Sequence, residues 1–185
     1  LADVIANYHL ANGGEVVFAT VPDLLDHLRA AFAPLSSITY DDLFERVRNI
    51  PLLVLDDLGT ESPTPWAQEK LYQIINYSYN AKLPTVVTTN VDLDRIEGRV
   101  RSRLVDADLV RMVLIDAPDF RRGLGESQHR LSSLEQHHHY TFDTFDPARK
   151  REMLEKQHTD ELQAAFAAAR VYAENPKGWL ILMGT

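Results

Sequence analysis

The run Pro51-Leu-Leu-Val-Leu-Asp-Asp-Leu-Gly59 constrains this chain most: an apolar stretch delivers two adjacent carboxylates to a turn. An apolar run of this length, closed by glycine, is the pattern of a strand buried on both faces of a parallel sheet. Two acids at its carboxyl end then sit where open α/β sheets bind their ligands. Burying one carboxylate without a partner is costly, and two side by side repel. A metal ion carrying phosphates resolves that conflict, so Asp56 and Asp57 are the first candidate site residues.

The rest of the chain supplies a matching frame. Apolar patterning predicts strands over 15–21, 51–57, 85–90, 111–117 and 179–184, separated by helices over 1–10, 22–32, 40–49, 66–80 and 152–175. Such alternation implies an α/β fold, a parallel sheet with helices on both faces. Residues 121–139, rich in Gly, Ser and His, read as a flexible segment. His137-His138-His139 after Leu134-Glu135 is the pattern of a purification-tag scar rather than a metal site.

Composition narrows the function. The 185 residues carry a net charge of −8, so any nucleic-acid contact has to come from a local basic patch. Cysteine is absent, which excludes a disulfide framework and a thiolate metal site and fits a cytoplasmic protein. No apolar run reaches the roughly 18 residues of a membrane span.

The two ends read as halves of one motif. A strand ending in glycine and followed by a helix is the frame of a phosphate-binding loop, G-x-x-x-x-G-K-S/T. Gly184 and Thr185 supply its first two positions, and Leu1 falls just inside the helix that follows. The glycines, the lysine and the hydroxyl that hold phosphate and Mg²⁺ are missing from the sequence. A circular permutant opened at the loop explains this. So does a chain without its loop whose two segments stand in inverted order. The third possibility is a chain that ends on a core strand.

Joined across that seam, nearly the whole chain resembles the DnaC/DnaI/IstB-like branch of the AAA+ family, bacterial helicase loaders and transposition-helper ATPases. Seven segments carry the resemblance: Tyr140-Thr-Phe-Asp-Thr-Phe-Asp146, Gly178-Trp-Leu-Ile-Leu-Met-Gly184, Val21-Pro-Asp-Leu-Leu-Asp-His-Leu-Arg29, Leu53-Val-Leu-Asp-Asp-Leu-Gly59, Trp66-Ala-Gln-Glu-Lys-Leu-Tyr-Gln-Ile-Ile-Asn-Tyr77, Leu83-Pro-Thr-Val-Val-Thr-Thr-Asn90 and Arg99-Val-Arg-Ser-Arg-Leu104. It implies a single P-loop NTPase core with a five-stranded parallel sheet. In family order 140–185 precede the phosphate loop and 1–122 follow it, with 123–139 as a flexible junction.

The resemblance also assigns roles. Asp56 matches the Walker B carboxylate that holds Mg²⁺ against the phosphates of ATP. Asp57 matches the acid that orients the attacking water. Asn90 matches the sensor amide facing the γ-phosphate or that water, although an Asn in a turn is the alternative. Arg103, joined by Arg99, matches the arginine finger that reaches the nucleotide of an adjacent subunit, which implies self-association into an oligomer or filament. The alternative is a solvated turn pairing with Asp106 and Asp108. In loaders, helices equivalent to 22–49 contact single-stranded DNA. Arg29, Arg46, Arg48 and Tyr40 are the candidates here, while Phe32 and Phe44 lie on apolar faces and read as core.

The expected partners are a replicative helicase and single-stranded DNA, with no membrane. A transposition helper binding duplex DNA, or a non-catalytic scaffold without the phosphate loop, are the other readings.

Overall fold

A computed structural model describes residues 1–32, 39–115, 134–147 and 156–184. Thr185, the 123–133 part of the expected junction, and the last two residues of the strand expected over 111–117 lie outside them.

The acid-bearing run forms β2 (Leu52–Asp56), in which Leu52, Leu53, Val54 and Leu55 are all buried. Side chains along a strand alternate between faces. Accordingly Leu53 and Leu55 enter one apolar cluster, while Leu52 and Val54 enter another. The same division holds in β1 (Val16–Thr20), with Val17 and Ala19 opposed to Phe18. It recurs in β3 (Thr85–Thr89) and in β5 (Trp179–Gly184), where Trp179 and Ile181 oppose Leu180 and Leu182. Full burial of each large aliphatic side chain contributes about 1.5–3 kcal/mol, so a strand buried on both faces ties two layers together.

One face is covered by α2 (Val21–Ala30), α3 (Tyr40–Arg48), α4 (Pro65–Asn80) and α5 (Gly98–Leu104) through Leu24, Leu28, Val47, Ile74 and Leu104. The other is covered by α1 (Ala2–Ala11) and α6 (Lys156–Glu174) through Ile5, Ala6, Ala169 and Tyr172. The fold is therefore the three-layer α/β core that the alternation of elements implied.

With β4 (Val110–Ile115), the sheet has five strands in the order β1-β2-β3-β5-β4, all parallel. β5 comes last in the chain yet lies inside the sheet, with Thr89 of β3 opposite Met183. The carboxyl ends of β2, β3 and β5 are consequently neighbours. β4 is an edge strand, and its Met112 and Leu114 are exposed.

Thr20, Thr39 and Thr64 each cap a helix, accepting the amide three residues on at 3.2, 3.1 and 3.2 Å. Such caps satisfy amides that the first helical turn leaves without a partner. The Thr20 cap also ends the first strand at Thr20, one residue earlier than patterning predicts.

One expectation needs correction. Phe32 is 56% exposed rather than core, whereas Phe44, at 9%, is buried. Phe32 sits past the end of α2 and stacks on Tyr40 at 4.4 Å, so it covers a neighbouring ring instead of entering the sheet layer. At the end of the segment expected to be a flexible junction, Leu134 and His137 pack against α1. Leu134 is buried, His137 Nδ1 lies 2.9 Å from Asp3 Oδ1, and Asn7 donates to the carbonyls of His137 and Tyr140, both at 2.7 Å.

Candidate functional site

Asp56 is the last residue of β2, and Asp57 begins the turn that follows it. Register places Leu55 opposite Val87, so the next pair on the two strands is Asp56 and Thr88. The Thr88 hydroxyl donates to Asp56 Oδ1 at 2.5 Å and accepts the Asp57 amide at 2.9 Å. Asp57 has φ +56°, a left-handed conformation that costs a non-glycine residue about 1 kcal/mol or more. Bonds from the end of β3 hold it there. Besides the Thr88 hydroxyl, the Thr88 carbonyl accepts the Leu58 amide at 2.9 Å, and the Thr89 hydroxyl donates to the Leu58 carbonyl at 2.7 Å.

Gly59 completes the turn at φ +94°, and a Cβ there would come within 3.1 Å of Val91. The turn thus packs directly on the chain leaving β3. The sequence placed the two acids at this strand end but did not single out Thr88 or Thr89. A signal was present: two hydroxyls close an apolar strand immediately before Asn90.

Asn90 is exposed at the end of β3 and approaches the backbone of β5. A Cβ built on Gly184 would lie 2.3 Å from Asn90 Oδ1, so the approach depends on a glycine. Asp56, Asp57, Asn90 and Gly184 are therefore gathered at the carboxyl edge of three adjacent strands, where a doubly wound sheet receives its ligand. Carboxylate oxygens suit Mg²⁺, and glycine backbone suits close approach of phosphate. These residues fit one half of a metal-phosphate site. Thr185 lies outside the described residues.

α5 carries the arginines. Arg99 and Arg103 are four residues apart and share a helical face. Arg99 lies 3.2 Å from Glu69 and 2.8 Å from Glu97, and its guanidinium sits over Tyr72 at 4.3 Å. Bonds to Glu97 and then Glu69 hold its pKa above the usual arginine value. Glu69 is held below its usual value by bonds from Gln73 and Arg99. For Glu97 burial pulls upward, but bonds from Arg99 and the Val100 amide outweigh it and the carboxyl is held low.

Arg103 donates to Asn76 Oδ1 at 2.9 Å and to the Arg99 carbonyl at 2.9 Å. Arg101 faces elsewhere and pairs with Asp94. The expected alternative, pairing with Asp106 and Asp108, is not what these arginines do. Asp106 instead accepts the Tyr79 hydroxyl at 2.5 Å, which lowers its pKa and raises that of Tyr79.

The basic candidates on α2 and α3 join an aromatic surface shared with α4. Arg29 lies over Trp66 at 4.9 Å, and Arg48 lies over Tyr77 at 4.0 Å while bonding Glu45 at 2.7 Å. Tyr40 is stacked between Phe32 and Phe44, with the Lys70 ammonium 4.9 Å from its ring. Arg46 is exposed and, two residues from Phe44, faces another side of α3. The structure thus gathers Arg29, Tyr40 and Arg48 and leaves Arg46 apart.

The fold is a three-layer α/β core around a five-stranded parallel sheet, an architecture consistent with the P-loop NTPase (AAA+) class. The sequence is similar to proteins described as the replicative helicase loader DnaC. In Buchnera aphidicola (subspecies Schizaphis graminum), Escherichia coli and Shigella flexneri, the identity is 26% over 106 residues. That match takes in 57% of this chain and 43% of each relative, so less than half the length of these loaders is spanned. No protein-family model matches the sequence. Among the described residues, no helix is long and apolar enough to cross a membrane.

Proposed function

We propose that the chain is the ATP-binding and hydrolysing core of a helicase loader, acting on single-stranded DNA in cytoplasmic DNA replication. The observation that carries this reading is the convergence of Asp56, Asp57, Asn90 and Gly184 at one sheet edge, in a chain similar to replicative helicase loaders.

In this reading Asp56 holds Mg²⁺, which when bound supplies charge neutralisation at the phosphates. Asp57 accepts a hydrogen bond from the attacking water and turns its lone pair toward phosphorus. Asn90 steadies that water or the γ-phosphate oxygen. Gly184 and Thr185 open the phosphate loop, whose remainder belongs between Thr185 and Leu1 in family order.

Arg103, with Arg99 beside it, reaches the nucleotide of a second subunit, so turnover requires self-association. To do so Arg103 exchanges its bond to Asn76 for the transferring phosphoryl group. Arg29, Arg48 and Tyr40 follow the strand of DNA, with rings available for base stacking. Arg46 adds charge from the far side of α3.

A second reading is a scaffold that keeps the fold without binding nucleotide. A transposition helper differs in its partner. ATP turnover measured with single-stranded DNA separates the enzyme from the scaffold. Turnover that rises with DNA supports the loader, and absence of both binding and turnover supports the scaffold. Retention on an immobilised hexameric helicase, as opposed to a transposase, then decides the partner.

A further inference from the structure

We infer that Thr88 is the positioning residue that makes Asp56 and Asp57 act as a pair. The inference rests on reading those acids as a metal-phosphate site. A threonine hydroxyl has one proton and two lone pairs. Here the Asp57 amide, a donor, occupies a lone pair at 2.9 Å, and the proton goes to Asp56 Oδ1 at 2.5 Å. One atom on β3 therefore orients the first carboxylate and fixes the backbone from which the second projects.

The second effect matters because of the conformation of Asp57. At φ +56° the residue is held against its own preference, and the amide bond to Thr88 is one of the bonds from β3 that oppose relaxation. Relaxing φ rotates the Asp57 side chain relative to Asp56, which changes the separation of the two acids. Threonine also suits the site structurally, because its branched side chain fits a strand. Valine keeps that shape and removes the hydroxyl. Serine keeps the hydroxyl and removes the methyl group.

The test compares Thr88→Val and Thr88→Ser with the unmodified chain by two readouts. The first is hydrogen exchange at the Asp57 amide without nucleotide. The second is Mg²⁺-dependent ATP turnover. In Thr88→Val the Asp57 amide exchanges faster, because its acceptor is gone. Turnover falls about 10- to 100-fold, the usual effect of removing a group that orients a metal-binding residue. The Mg²⁺ concentration for half-maximal rate rises, while KM for ATP at saturating Mg²⁺ holds. Thr88→Ser restores both readouts.

A purely structural role would shift the melting temperature without moving the Mg²⁺ requirement, and that result overturns the inference. Asp57 exchange in Thr88→Val equal to that of the unmodified chain overturns it as well. If the unmodified chain turns over no ATP, the proposed function fails, and Asp57 exchange alone then decides whether Thr88 holds the pair.

Discussion

Asn90 lies against the backbone of Gly184, so close that a single added carbon on the glycine would stand 2.3 Å from the amide oxygen. The two residues end neighbouring strands, and their strands meet in register through Thr89 and Met183. The expected sensor amide and the expected first glycine of the phosphate loop are therefore coupled by sterics alone. Gly184→Ala has to displace Asn90, because the clash falls on a side-chain oxygen that is able to move. Turnover in this variant drops with little change in melting temperature, measured by steady-state hydrolysis and thermal unfolding. An equal rate in the variant would show that Asn90 has no role in the chemistry.

Asp57 combines strain with its expected role. Replacing it by glycine removes the left-handed penalty, and glycine occupies φ +56° without a Cβ clash. The expected outcome for Asp57→Gly is no net loss of stability, since relief of about 1 kcal/mol offsets the greater backbone entropy lost on folding. Hydrolysis is lost in the same protein. Chemical denaturation alongside an ATPase assay checks both halves. A large drop in stability would mean that the side chain, rather than the turn, holds this segment.

Tyr172 gives the fold an alkaline limit. Its buried hydroxyl donates to the carbonyls of Gly178 at 3.0 Å and Thr85 at 3.3 Å, bridging α6 to β3 and to the turn before β5. Burial pushes its pKa well above the ordinary tyrosine value of 10.0, against a smaller opposing effect of the bond to Thr85. The folded state thus retains a proton that the unfolded chain releases. The stabilisation is full below about pH 10 and is lost as pH rises above it. Tyr172→Phe removes this contribution to the alkaline decline and costs about 1 kcal/mol at neutral pH for the lost hydroxyl bond, the Gly178 carbonyl keeping the Thr85 amide as a donor. Unfolding followed from pH 8 to 11 in both proteins tests the sign.

Much of this was legible in the sequence because burial writes itself as pattern. Leu52 to Leu55 had to be a strand covered on both sides, and the acids after it had to lie at a ligand-binding edge. The same logic found Gly184 and Asn90 at the ends of apolar runs. It did not find Thr88, since a strand pattern gives no register and the bond to Asp56 exists only because Leu55 pairs with Val87. Phe32 misled for a related reason. Helical periodicity marks an apolar face but does not say whether sheet or another exposed ring covers it. The docking of His137 on α1 joins residues 130 and 134 positions apart, beyond the reach of local composition.

Arg103 offers the sharpest separation of structure from chemistry. In the single chain its guanidinium is held by Asn76, the Arg99 carbonyl and the Ser102 hydroxyl at 2.8–2.9 Å, all on its own subunit. If that arrangement is the resting state of a finger, Arg103→Ala and Asn76→Ala diverge. Both remove bonds between α4 and α5 and lower the melting temperature. Arg103→Ala keeps ATP binding and loses hydrolysis, by about 10³-fold or more if the guanidinium neutralises transition-state charge. Asn76→Ala removes the bonds to α4's amide, leaves the guanidinium on the Arg99 carbonyl and the Ser102 hydroxyl, and retains turnover. Mixing Arg103→Ala with Asp57→Asn then restores partial hydrolysis, because each supplies what the other lacks across a shared interface. Failure of the mixture to exceed either variant alone would place Arg103 in the scaffold of α4 and α5 and not at a neighbour's nucleotide.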